Sequence, residues 1–175
     1  MKTTHILIAL GLALLAQTTI VPAIAGGGAP VDLVLIVVVF AALPRGPIAG
    51  LWTGTLAGLL QDALSGGIVG VSGLAKTVVG VLAGVGGSRF ILGTIWHRMT
   101  VLIAASFLHS FCYIGVYSLI SSGSPVSTMR MVAIQAVVNA TVGVSALAVV
   151  RLSPGVFERL RHGRNPMGRR RWIMS

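Results

Sequence analysis

Six apolar stretches, each with at most one charged residue, follow one another along the chain. They run from about His5 to Ala25, Val31 to Leu43, Pro47 to Leu64, Val71 to Gly87, Met99 to Ile120 and Met131 to Val150. A helix that crosses a bilayer needs about 20 mostly apolar residues, with a range of about 17 to 25. The first, fifth and sixth stretches meet that length. The second and third are short, and Leu43-Pro44-Arg45-Gly46-Pro47 between them imposes a tight turn. They form either two spans or one re-entrant hairpin. Water cannot be the solvent of such a chain: charged residues make up 9% of it, where a soluble domain carries about 25%. Hydrophobic residues make up 55% and the mean hydropathy is +0.94. Lipid has to cover the outside.

The basic residues choose between two spans and a hairpin. With six spans and the N-terminus inside, Lys2, Arg45, Arg89, Arg98 and the basic tail all fall on the cytoplasmic side. The opposite loops, Gly26–Pro30, Gly66–Gly70 and Ser121–Thr128, contain no Lys or Arg, and only Arg130 sits at an outer mouth. This is the asymmetry of the positive-inside rule. A hairpin dipping in from outside would hold Arg45 within the membrane at a cost of roughly 3 kcal/mol. The expected fold is therefore all-α: a polytopic membrane bundle of about six transmembrane helices, with both N- and C-termini in the cytoplasm. Residues 1–150 form the transmembrane domain and 151–175 a basic cytoplasmic tail. The beginning also resembles a secretory signal, with Lys2, the apolar run Ile6–Ala16 and Ala23-Ile24-Ala25. The additional stretch Gln17–Pro22 favours a retained first helix, and cleavage would leave five spans without inverting the rest.

A net charge of +10 and a pI near 11.8 invite a nucleic-acid reading. Seven of the thirteen basic residues (Arg151, Arg159, Arg161, Arg164, Arg169, Arg170 and Arg171) follow the last apolar stretch, without the regular alternation with aromatics of a single-strand platform. Beside a membrane span, such a tail sets topology and contacts anionic lipid; no nucleic-acid partner is expected. Cys112 is the only cysteine, so there is no disulfide, thiolate metal site or redox pair.

The third and fourth stretches carry the most pattern. Gly50, Gly54 and Gly58 recur every four residues and share one helical face, which Asp62 continues. Gly73, Thr77, Gly80 and Gly84 give the fourth helix a small-residue face of its own. In lipid, such faces let backbones approach closely. They serve either to pack the third helix on the fourth or to receive a partner's helix. Asp62 precedes the turn Gly66–Gly70, and Lys76 lies one turn into the next helix. The two are expected to pair, because pairing lowers the cost of holding either charge there. His109 on the fifth helix and Asn139 on the sixth, with Gln135 one turn away, fall at similar depth. A hydrogen-bonded contact between these helices is expected, with ligand binding as the alternative. The chain has only three acids, Asp32, Asp62 and Glu158, too few for an ion-coupled relay. No nucleophile comes with a base and an orienting acid, no Walker or dinucleotide motif occurs, and His109 has no second ligand at its depth. No enzyme, cofactor or metal is expected.

The segment Gly50–Gly84 resembles the signature region of the rod shape-determining protein MreD family. The resemblance lies in Gly54, Gly58-Leu59-Leu60, Asp62, Ser65-Gly66, Gly70 and Leu74, and extends more loosely to Gln17-Thr18-Thr19, Pro30 and Asp32. It implies a non-enzymatic scaffold in the bacterial inner membrane, part of the cell-elongation complex. Its implied partners are the bitopic protein MreC and, through it, MreB filaments, RodA and the transpeptidase partner of RodA. The family is similar in fold to the substrate-binding S components of energy-coupling-factor vitamin transporters, which supplies the alternative function. Ala9-x-x-x-Ala13 is similar to the motif by which S components dock their transmembrane partner. The basic tail has no counterpart in the family pattern.

Overall fold

A computed structural model describes residues 3–25, 31–66, 68–89, 95–120 and 129–152. The loops 26–30 and 121–128 and the tail from 153 lie outside the described residues, and with them two of the three outer-loop expectations and the basic-tail expectation. The described residues form six helices and no strand. Helix α1 (Thr3–Leu15) continues through a π-helical stretch (Ala16–Ile20) into a last turn (Val21–Ala25). It is followed by α2 (Leu33–Arg45), α3 (Pro47–Ser65), α4 (Val71–Arg89), α5 (Ile95–Ile120) and α6 (Met129–Leu152).

Local chemistry sets the breaks. The Thr18 hydroxyl donates back to the Leu14 carbonyl at 2.9 Å and Thr19 to the Leu15 carbonyl, which competes with the backbone ladder where α1 widens. Asp32 caps α2 by accepting from the Leu35 amide at 2.9 Å. Gly46, at φ 87°, ends α2, and Pro47 starts α3 at a position that has no use for an amide hydrogen.

Helix α2 has only 13 residues, about 20 Å at 1.5 Å per residue. That is short of the roughly 30 Å hydrocarbon core, yet α2 is the centre of the molecule and touches all five other helices. Val34, Val38 and Ala41 on one face meet Ile6, Leu10, Ala13 and Leu14 of α1 and Ala57 of α3. Leu35, Val39 and Ala42 on the other face meet Val79 and Ala83 of α4, Leu102 and Ala105 of α5 and Ala140 of α6. An apolar run with no polar face, such as Leu33–Ala42, suits a helix largely covered by its neighbours, with Leu33, Val37 and Phe40 part-buried along one side. Among the described residues two helices, Thr3–Ala23 and Arg98–Ile120, are long and apolar enough by themselves to cross a membrane. Leu33–Arg45, Val71–Gly87 and Arg130–Ala146 are shorter apolar helices.

Candidate functional site

The glycine stripes meet each other. A Cβ on Gly50 would strike the Gly80 carbonyl, one on Gly54 the Lys76 carbonyl and one on Gly58 the backbone of Gly73, all closer than 3.0 Å. Gly84 abuts Gly46 in the same way, and Thr55 and Thr77 hydroxyls share a hydrogen bond of 2.7 Å across the seam. Helices α3 and α4 thus pack backbone to backbone, and both glycine faces are closed within the chain. Of the two uses open to the stripes, internal packing is the one observed, and no face remains on them for a partner's helix. The opposite side of α3 carries Ile48, Trp52, Leu56, Leu60 and Leu64 as an exposed apolar ridge. Ala13 of the Ala9–Ala13 motif is likewise buried, within the α1–α2 contact.

The expected Asp62–Lys76 pair does not form. Asp62 Oδ2 accepts from the amides of Gly70 at 2.9 Å, Ser72 at 3.0 Å and Gly73 at 3.3 Å. It therefore caps α4 from the neighbouring helix, where the unpaired amides and the helix dipole favour a carboxylate. Gly66 and Gly70, at φ 67° and 105°, make the turn that brings those amides round. Lys76 points elsewhere because Ser72, Lys76, Val79 and Ala83 form a different face of α4 from Gly73, Thr77 and Gly80. The glycine face lies on α3 and the lysine face on α2.

Lys76 Nζ donates to Asp32 Oδ2 at 2.6 Å and to Ser72 Oγ at 2.9 Å. The lysine is fully buried and Asp32 nearly so. Around this ion pair the two remaining helices close. The Asp32 amide donates to Asn139 Oδ1 at 2.7 Å, and Asn139 Nδ2 donates to Ser106 Oγ at 2.9 Å. His109 Nε2 lies 3.5 Å from Asp32 Oδ2, while its Nδ1 is buried and without a hydrogen-bond partner. The α5–α6 contact therefore exists, but Asn139 reaches Ser106 and not His109; both meet through Asp32. Gln135 is half-buried, one turn before Asn139 on α6.

One acid, one lysine, one histidine, one asparagine and two serines thus tie α2, α4, α5 and α6 together. Gln17 adds α1: its side chain donates to the Val31 carbonyl at 3.0 Å and accepts from the Leu33 amide at 2.8 Å. The two charges neutralise each other, so the arrangement works as a clamp at the head of α2. Among the described residues no group of three His, Cys, Asp or Glu side chains is placed to hold a metal. Sequence reasoning missed Asp32 as the partner of Lys76, together with Ser72 and the two bonds of Gln17. The available signal was arithmetic. A lysine inside an apolar helix needs an acid, and Asp32 was as eligible as Asp62.

Comparison with curated proteins and with solved structures returns no match. The family model for "rod shape-determining protein MreD" matches residues 2–161, a span that takes in all six helices. The chain belongs to the rod shape-determining protein MreD family.

Proposed function

We propose that this protein is a non-enzymatic scaffold of the bacterial cell-elongation complex. It sits in the inner membrane with six spans and both ends in the cytoplasm. It binds an MreC-like bitopic protein and helps couple MreB filaments to the peptidoglycan synthase RodA and its transpeptidase partner. The observation that carries this reading is membership of a shape-determining membrane-protein family over residues 2–161. The clustering of basic residues supports the orientation. Arg45 closes α2, Arg89 closes α4 and Arg98 lies in the first turn of α5, so all three stand at the same end of antiparallel neighbours, whereas the Gly66–Gly70 turn stands at the other.

Packing modifies how partners are met. Because the α3 and α4 glycines are spent on each other, partner helices contact the outer surfaces of a preassembled bundle. A clamp of buried polar residues keeps that bundle in a single arrangement, which suits a scaffold whose task is to present fixed faces.

The test is affinity purification of the tagged protein from mild detergent, with proteins and small molecules both identified by mass spectrometry. Recovery of a bitopic MreC-like protein with wall synthases is the expected result. Recovery of transporter ATPase subunits or a bound vitamin, without those proteins, would overturn the proposal.

A further inference from the structure

Between α2, α4 and α5 lies an open groove of about 330 Å³, bordered by Leu43, Leu82, Ala83, Gly86, Ala104 and Leu108. Its walls are almost wholly apolar, and small residues make the space: a Cβ added to Gly86 would meet nothing within 4 Å. The groove belongs to neither the glycine seam nor the polar clamp.

Charge is distributed unevenly about it. Arg45 follows the lining residue Leu43 by two positions, and Arg98 precedes the lining residue Thr100 by two. Gly84 and Gly87 abut the backbones of Gly46 and Leu43, so the end of α2 that carries Arg45 is pressed against the stretch of α4 that forms the groove. The two acids among the described residues lie away from this end. Asp32 caps the opposite end of α2 and Asp62 stands near the opposite end of α3, while Glu158 is outside the described residues.

We infer that this groove is a binding site for an anionic phospholipid, with one acyl chain between α4 and α5 and the phosphate beside Arg45 and Arg98. The occupant must be apolar along its length and negative at one end, which is the chemistry of such a lipid. The groove's volume, at the lower limit of small-ligand sites of about 300–1,000 Å³, suits a single extended chain. The inference rests on the membrane location of the chain and is independent of the partners proposed above.

Native mass spectrometry of the full chain in mild detergent tests it, with phosphatidylglycerol and phosphatidylcholine of identical acyl chains as probes. Two arginines near an anionic headgroup correspond to roughly 30-fold preferential retention of phosphatidylglycerol. Gly86→Leu and Ala104→Phe fill the groove from positions with room for the added atoms. Each should cut retention by about tenfold or more at an unchanged unfolding temperature. Gly115→Leu, on α5 with nothing within 4 Å and outside the groove, should keep the lipid. Equal retention of the two lipids, or undiminished retention in both groove variants, overturns the inference. Groove variants that keep their lipid but lose a co-purifying membrane protein assign the groove to that protein and overturn it as well.

Discussion

Replacing Lys76 with methionine is the sharpest test of the buried clamp. The change keeps the length and apolar stem of the side chain and removes only the ammonium group. That group donates to Asp32 Oδ2 at 2.6 Å and to Ser72 Oγ at 2.9 Å, with the lysine fully buried. Asp32 keeps the Leu35 amide on its other oxygen and the 3.5 Å approach of His109, but its charge loses its counterion. Breaking a buried pair from one side costs about 3–5 kcal/mol, because the surviving charge is stranded. For a chain of this size each kcal/mol moves the unfolding midpoint by about 2–4 °C, which predicts a drop of roughly 6–20 °C. The second arm is the double variant Asp32→Asn/Lys76→Met. Asparagine is neutral and can still cap α2, so it should recover at least about 2 kcal/mol of the single variant's loss. The assay is unfolding of the detergent-solubilised protein, followed by helical circular dichroism against temperature and against denaturing detergent. A single-variant loss below about 1 kcal/mol, or a double variant no better than the single, would refute the argument that the pair is a desolvated electrostatic unit.

Three further outcomes follow from the same geometry. Gly54→Leu drives a side chain into the Lys76 backbone and should destabilise the α3–α4 seam by about 1–3 kcal/mol or more, whereas Gly115→Leu, facing open space, should change unfolding by less than about 0.5 kcal/mol. Asp62→Ala removes the acceptor of the Gly70 amide and of two α4 amides and should cost about 0.5–2 kcal/mol; in a cycle with Lys76→Met the two losses should add within about 0.5 kcal/mol, since Asp62 and Lys76 share no bond. Gln17→Ala deletes both bonds between α1 and the start of α2; a loss of about 1–3 kcal/mol in unfolding, with faster hydrogen exchange at Leu33 by mass spectrometry, is the expected result, and unchanged exchange at Leu33 would contradict it.

The sequence alone determined the class of molecule. Apolar stretches interrupted by Pro and Gly, with so few charges, admit only helices in lipid, because each helix satisfies its own backbone where water is absent. The glycine spacing showed that α3 would be approached closely, and the run Gly50–Gly84 carried the family resemblance that the match over residues 2–161 bears out. Spacing along one helix could not say which helix approaches. Only the packing showed that the stripes on α3 and α4 close on each other.

The choice of ionic partners was also left to the tertiary structure. Lys76 is 14 residues from Asp62 and 44 from Asp32, so proximity along the chain favoured the wrong acid. Side-chain direction reversed that preference, because α4 turns Gly73 toward α3 and Lys76 toward α2. The position of α2 itself, 13 residues long and central to the bundle, was equally hidden. Contact with all five other helices is a property of how they are arranged, and a short apolar run is compatible with many arrangements. Periodicity records what one helix offers to its surroundings; which neighbour takes it depends on contacts between residues far apart in the chain.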